Sequence, residues 1–158
     1  MRIRAFAYIC ISTLPCGQTT VKRSGRMFAM SARIVGHHHV THNISRSNID
    51  AARRFYRDIL GLREIPATED PSGHRLIWFS VGSQQLHLIV RDEPDPASSR
   101  HLAVLVDDFD QFIAHLQAHR VRLDEREPGQ FWGRRSDGFK YAFCYDPEGN
   151  RIELMEKR

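Results

Sequence analysis

Four side chains able to bind a cation or move a proton stand far apart in this chain: His39, His87, His101 and Glu153. Each lies in a stretch of alternating apolar residues, the mark of a β-strand with one buried face. Neutral imidazoles and a carboxylate on separate strands suit a divalent metal of the Zn, Ni, Co, Mn or Fe kind. Strand-borne ligands are held rigidly, and three or four protein ligands leave positions open for water or substrate. Taken singly, each has a plainer explanation. His37-His38-His39 reads as a solvated run, His87 as a hydrogen-bonded core histidine, His101 as a cap on a linker, and Glu153 as an edge charge opposing aggregation. His42, His74, His115 and His119 read as structural or surface residues.

The elements that carry the four decide between these readings. Residues 34–44 form an expected strand, with His39, Thr41 and Asn43 on one face. Ser47 or Asn48 is placed to cap a helix whose apolar stripe is Ile49, Ala52, Phe55, Tyr56, Ile59 and Leu60, ended by Gly61. A short segment at 62–65, a strand at 75–81 and a strand at 85–90 follow. The last puts Gln85, His87 and Ile89 on one face. Residues 91–100 form a linker with Pro94 and Pro96. The pattern then repeats: strand 101–106, a helix capped by Asp107 or Asp108, a short segment at 121–123, strand 140–145, the turn Asp146-Pro147-Glu148-Gly149-Asn150, and strand 151–155. In the two copies His39 corresponds to His101, and His87 to Glu153. By face alone, Thr41 and Gln85 line the same cavity. Tyr141, Phe143 and Tyr145 share one face, pocket or helix side. Arg134 and Arg135 sit on a loop, where solvation or an anionic substrate would account for them.

Composition bounds the rest. A chain of 158 residues with 27% charged and 41% hydrophobic residues suits one ordinary globular domain. Its net charge of +4 misleads, because residues 1–26 carry five basic residues and no acid, leaving the remainder at −1. That balance gives no support to nucleic-acid binding. Cys10, Cys16 and Cys144 make no disulfide framework, which fits a reducing compartment, the cytoplasm. No apolar run reaches the length of a membrane span. Residues 1–30 read as a disordered tail or a start codon taken too early, with features of a poor signal or transit peptide. The domain is then 31–158, with modules at about 34–92 and 100–156.

His39-Val40-Thr41-His42-Asn43-Ile44-Ser45 with Phe55-Tyr56-Arg57-Asp58-Ile59-Leu60-Gly61-Leu62, His101 to Asp108, and Asp146 to Leu154 resemble the motifs of the vicinal oxygen chelate (glyoxalase/bleomycin-resistance/extradiol dioxygenase) superfamily. The resemblance covers roughly residues 34–156. It implies an α+β fold of two paired βαβββ modules that form a cupped mixed sheet around one metal. It also implies a homodimer whose pocket is built from modules of both chains, and a small-molecule substrate. His39, His101 and Glu153 match the regular ligand places, and His87 the fourth, which holds Glu in many lactoylglutathione lyases. The leading expectation is a glyoxalase I-like enzyme, with Glu153 as the base, enediolate stabilisation by the metal, and glutathione as a candidate co-substrate. The alternatives are an Fe(II) extradiol-type dioxygenase, a fosfomycin-type thiol transferase, and a non-enzymatic binding protein of the bleomycin-resistance kind.

Overall fold

The computed structural model describes residues 33–70, 73–93 and 95–158, and before them the backbone of three strands. The chain divides into two compact units, Met1–His37 and His38–Arg158. In the first, β1 (Ile11–Thr13), β2 (Thr19–Arg23) and β3 (Arg26–Ala29) form an antiparallel sheet in that order. The expectations for residues 1–30 rest mostly on positions outside the described residues, Cys10 and Cys16 among them.

The second unit holds two βαβββ modules. In the first, β4 (His39–Ser45) leads through a helical segment to β5 (Arg63–Ile65), β6 (Leu76–Val81) and β7 (Gln84–Arg91), with sheet order β4-β7-β6-β5. In the second, β8 (His101–Val106) leads through α2 (Phe109–Ala118) to β9 (Gly133–Arg134), β10 (Lys140–Tyr145) and β11 (Arg151–Glu156), with order β8-β11-β10-β9. In both sheets the first strand runs parallel to the last and the other pairs are antiparallel.

Alternation fixes which face is buried. Ile44, Leu86, Leu88, Val90, Val106, Ile152 and Leu154 point toward the helices and join one core shared by both modules. The residues between them point to the opposite, open face. β4 begins at His39, five residues later than the sequence suggests. The Gln85 N–H to His38 carbonyl bond, 3.2 Å, is the last before β7 runs out, so Ile34 and Val35 have no ladder to join and are exposed.

The first helix is not uniform. A 3₁₀ turn (Arg46–Asn48) precedes α1 (Ile49–Arg53), and a π-helical stretch (Arg54–Ile59) follows. The wider turn is closed by the Leu60 N–H on the Phe55 carbonyl at 2.8 Å, and both Phe55 and Tyr56 are buried in the core. Neither Ser47 nor Asn48 caps this helix through its side chain. Instead Glu148, from the closing turn of module two, accepts the Ser45 N–H (2.6 Å), the Ser45 hydroxyl (2.9 Å) and Asn48 Nδ2 (2.9 Å). Burial works against the charged Glu148, but these three donors together outweigh it and lower its pKa. In module two, Asp108 does cap α2, accepting the Gln111 N–H at 3.1 Å. The segment expected as a strand at 121–123 contributes a single bridge, Leu123 to Cys144, and shares that edge with β9.

A buried polar chain joins the modules on the helix side. Tyr56, fully enclosed, donates its hydroxyl to Asp146 Oδ2 at 2.8 Å, and the Tyr56 hydroxyl oxygen lies 2.9 Å from His42 Nδ1. Asp146 also accepts the N–H groups of Glu148 (2.9 Å) and Asn150 (2.8 Å), and Asn150 Nδ2 at 2.8 Å. Burial lowers the His42 pKa despite the nearby carboxylate. Burial, with Asp146 adding to it, raises that of Tyr56 and pushes the Cys144 thiol up to about 12. His42 is thus a structural residue, as its sequence context suggests.

Candidate active site

Strand register explains why four residues scattered over the sequence form two matched pairs. In the parallel pair β4/β7, His39 stands opposite Gln85, so His87 lies two residues further on and on the same face. In β8/β11, His101 stands opposite Arg151, and Glu153 lies two residues further on. The two pairs therefore occupy equivalent places in the two sheets, both on the open face.

In module two, His101 Nε2 lies 3.0 Å from Glu153 Oε2, and His101 Nδ1 lies 3.0 Å from the Ser99 carbonyl. A carbonyl only accepts, so Nδ1 carries the hydrogen. The neutral ring then aims its Nε2 lone pair at a carboxylate, and two acceptors at 3.0 Å need a cation between them, a proton or a metal ion. The backbone carbonyl behind His101 is the kind of outer partner that fixes a metal-ligating tautomer.

In module one, His87 lies between two flat groups. Trp78, its partner across the β6/β7 ladder, stacks on one side at 4.0 Å and 2°, and His39 on the other at 4.1 Å and 12°. His87 Nε2 donates to Gln85 Oε1 at 2.8 Å, and His39 Nδ1 lies 2.9 Å from His38 Nδ1. Burial, reinforced by His39 and His38, lowers the His87 pKa. Imidazole lone pairs lie in the ring plane. Two parallel rings 4.1 Å apart cannot both direct a lone pair at one ion about 2.0–2.1 Å away. One of them must turn before both ligate.

Among the described residues, no group of three or more His, Cys, Asp or Glu side chains converges within the chain. The structure brings His39 beside His87 and Gln85, and His101 beside Glu153, as two separate half-sites. Thr41 and His101 line one cleft of about 980 Å³, together with Arg122, Tyr145 and Arg151. The donor set fits a divalent metal if two half-sites meet.

The register also answers what the sequence leaves open. Tyr141, Phe143 and Tyr145 stand opposite Met155, Glu153 and Arg151, so they face the open side. Arg135 pairs with Asp137 at 3.3 Å, and Arg134 donates to the Gly138 carbonyl at 3.0 Å, as expected of a solvated loop. Trp78 and Arg151 were not legible as site residues. Both become so only once the ladders place Trp78 against His87 and Arg151 against Phe143, its guanidinium 3.5 Å from the ring centre.

A crystal structure of a glyoxalase family protein from Bacillus anthracis is 30% identical, with a TM-score of 0.66 over 82% of this chain and 100% of that one. That of a lactoylglutathione lyase from Agrobacterium tumefaciens is 23% identical, with a TM-score of 0.58 over 79% and 96%. The uncharacterized protein YaeR of Escherichia coli (strain K12) is 34% identical over 64 residues, 40% of this chain and 46% of that protein, so the match spans less than half of that relative's length. Residues 36–154 match the Glyoxalase/Bleomycin resistance protein/Dioxygenase superfamily, a superfamily many of whose members are enzymes and many of which bind a divalent metal. With that match over most of its length, two register-equivalent modules and a shared core, the chain belongs to this superfamily.

Proposed function

We infer that the protein is a metal-dependent enzyme of the glyoxalase type, acting on a small molecule by proton transfer next to a carbonyl. The observation that carries this reading is the pairing of His101 with Glu153 at 3.0 Å, matched in register by His39 and His87. Module one of one chain meets module two of a second copy, so that His39, His101 and Glu153, with His87 if its ring turns, surround one ion. The exposed edge strands β4 and β8 support such a dimer. β8 shows Leu105, 66% exposed, on the same face as His101 and Ala103.

A divalent ion held there supplies Lewis-acid polarisation of the substrate carbonyl. The remaining work falls to the chain. Glu153 accepts the proton from the adjacent carbon and returns it to the neighbouring one. His101, its tautomer fixed by the Ser99 carbonyl, turns its Nε2 lone pair to the position that the Glu153 carboxylate also faces, and Thr41 and Gln85 line the approach. Glutathione is the candidate co-substrate, by analogy with the Agrobacterium tumefaciens neighbour. No helix among the described residues is long and apolar enough to cross a membrane.

The test is metal content per chain for wild type, His101→Ala and Glu153→Gln, with isomerisation of the methylglyoxal–glutathione hemithioacetal and sedimentation on the same samples. We expect a dimer with near-stoichiometric metal that both substitutions deplete, and turnover that Glu153→Gln abolishes. A monomer that takes up no metal on reloading would overturn the reading. Iron with oxygen uptake on catechols would move it to a dioxygenase.

A further inference from the structure

The peptide group that holds His101 is itself held. The Ser99 carbonyl accepts the His101 Nδ1–H at 3.0 Å, and the Arg100 N–H donates to the Ser98 hydroxyl at 3.1 Å. That carbonyl and that N–H are the two ends of one planar peptide group. A trans peptide points them in opposite directions, so fixing the rotation of one end fixes the other. Ser98 therefore holds the plane from one side and the His101 ring holds it from the other. The local form is a tight turn in which a serine hydroxyl takes the N–H two residues on.

The sheet does not fix this peptide in the side chain's place. The β8/β11 ladder begins with His101 opposite Arg151, so the Ser99–Arg100 peptide lies ahead of the first paired residue. The segment that carries it is a wall of the cleft, which Asp95, Ser98, Ser99 and Arg100 line together with His101. Its far end is tied to β4, where Asp95 accepts Asn43 Nδ2 at 2.6 Å. Between that tie and β8, the Ser98 hydroxyl sets how the last peptide is turned.

Module one lacks the arrangement. Ser98 stands three residues before His101, and the residue three before His39 is Gly36, which has no hydroxyl. The His39 ring meets a side chain instead, its Nδ1 2.9 Å from His38 Nδ1, and either nitrogen of that pair can carry the hydrogen. The contrast has a chemical consequence. A free imidazole in water favours its hydrogen on Nε2. In His101 that tautomer would turn the hydrogen to Glu153 Oε2, 3.0 Å away, and close the half-site with an internal hydrogen bond. With the hydrogen kept on Nδ1, Nε2 stays a lone pair.

We propose that Ser98 is a positioning residue: through the Ser99–Arg100 peptide it keeps the hydrogen of His101 on Nδ1 and so keeps Nε2 available to a divalent ion. The inference rests on the reading of His101 and Glu153 as half of a metal site. It makes the linker between the modules part of that site, and His101 the pre-set member of the pair His39 and His101. Losing the direct outer partner of a metal-bound histidine weakens metal binding by about 10–100-fold. Ser98 acts one bond further out, and the loss of one neutral hydrogen bond corresponds to roughly 5-fold.

The test compares the full chain as wild type, Ser98→Ala, Ser98→Thr and Asp92→Asn, the last a linker change outside the turn, at an exposed pair with Arg46. Two quantities are read. The nitrogen-15 signals of the His101 ring, taken without metal at alkaline pH where the ring carries one hydrogen, give the tautomer ratio. Competition with a chelator gives the zinc affinity. Wild type is expected to hold the hydrogen on Nδ1. Ser98→Ala should shift the tautomer ratio towards Nε2 and weaken zinc binding, each roughly 5-fold. Ser98→Thr, which keeps the hydroxyl, and Asp92→Asn should stay within about 2-fold of wild type in both. Ser98→Ala matching wild type in either quantity would overturn the proposal, as would Asp92→Asn shifting the ratio as far as Ser98→Ala does. A Ser98-dependent tautomer ratio in a chain that binds no zinc in any variant supports the hold on the ring and sinks the metal reading alone.

Discussion

Replacing Tyr56 by Phe removes one oxygen from a fully buried ring and breaks the polar chain that joins the modules. The ring still fills its space, so no cavity term enters. Two losses remain. The hydroxyl's bond to the Asp146 carboxylate is charge-assisted, worth about 1.5–3 kcal/mol. His42 Nδ1 loses its partner in a nearly closed position, a penalty of about 1–3 kcal/mol. Asp146 is not orphaned, because the N–H groups of Glu148 and Asn150 and the Asn150 amide still reach it. The two losses overlap, and His42 borders the cleft, where water can reach it, so we expect about 3 kcal/mol. Urea unfolding should show this as a midpoint lowered by roughly 1.5 M at an m-value of about 2 kcal/mol/M. The same change in a His42→Gln background should cost less, since the orphaned imidazole is already gone. A shift worth under about 0.5 kcal/mol in the wild-type background would refute the claim that this chain holds the modules together.

Trp78 reports on His87. In a Trp132→Phe background, indole emission should change with pH at a midpoint below 6.5, the ordinary value from which burial lowers the His87 pKa; a midpoint at or above 6.5 would refute the stacked, desolvated geometry. His42 and His87 both have lowered folded-state values, so the unfolded chain binds protons first: stability should be flat from pH 6.5 to about 8 and fall as pH drops below 6.5, with a shallower fall in His42→Gln. Glu148→Gln should cost about 1 kcal/mol near neutral pH by weakening the grip on Ser45 and Asn48, and the difference from wild type should shrink as pH falls below 4.5. A difference constant with pH would refute the charge-based account.

The repeat was legible because each half advertises itself by local pattern: a strand headed by His39 or His101, a helix, then the strand holding His87 or Glu153. Alternation also identified the open-face residues Thr41 and Gln85. What it could not supply was anything set by a neighbour. The Trp78 stack depends on the β6/β7 register, and the Arg151 guanidinium meets the Phe143 ring only through the β10/β11 register. The π-helical turn was hidden because Phe55 and Tyr56 satisfy an α-helical stripe equally well; only the pull of Asp146 on the Tyr56 hydroxyl, from 90 residues away, shows what the extra width achieves. The missing side-chain cap has the same cause, since Glu148, from the distant closing turn, draws the Asn48 side chain onto itself.

β4 shows how stability and chemistry are kept apart in this fold. His39 and Thr41 point to the open face, while His42, one residue on, points to the core and joins the modules through Tyr56 and Asp146. β11 repeats the division, with Arg151 and Glu153 outward and Ile152 and Leu154 inward. Because adjacent residues point to opposite faces, a shift of one position would exchange the two sets entirely. The polar chain on the helix side and the Asn150 amide on the Asn43 carbonyl, 3.0 Å, tie β4 to the closing turn that starts β11. The bonds that hold the modules together therefore also set β4, which carries His39, against the turn from which the Glu153 strand runs. Loosening the helix side should shift His39 relative to the closing turn without any change in the residues that face the substrate, whereas substitution of an exposed open-face residue such as Thr41 should leave folding stability nearly untouched.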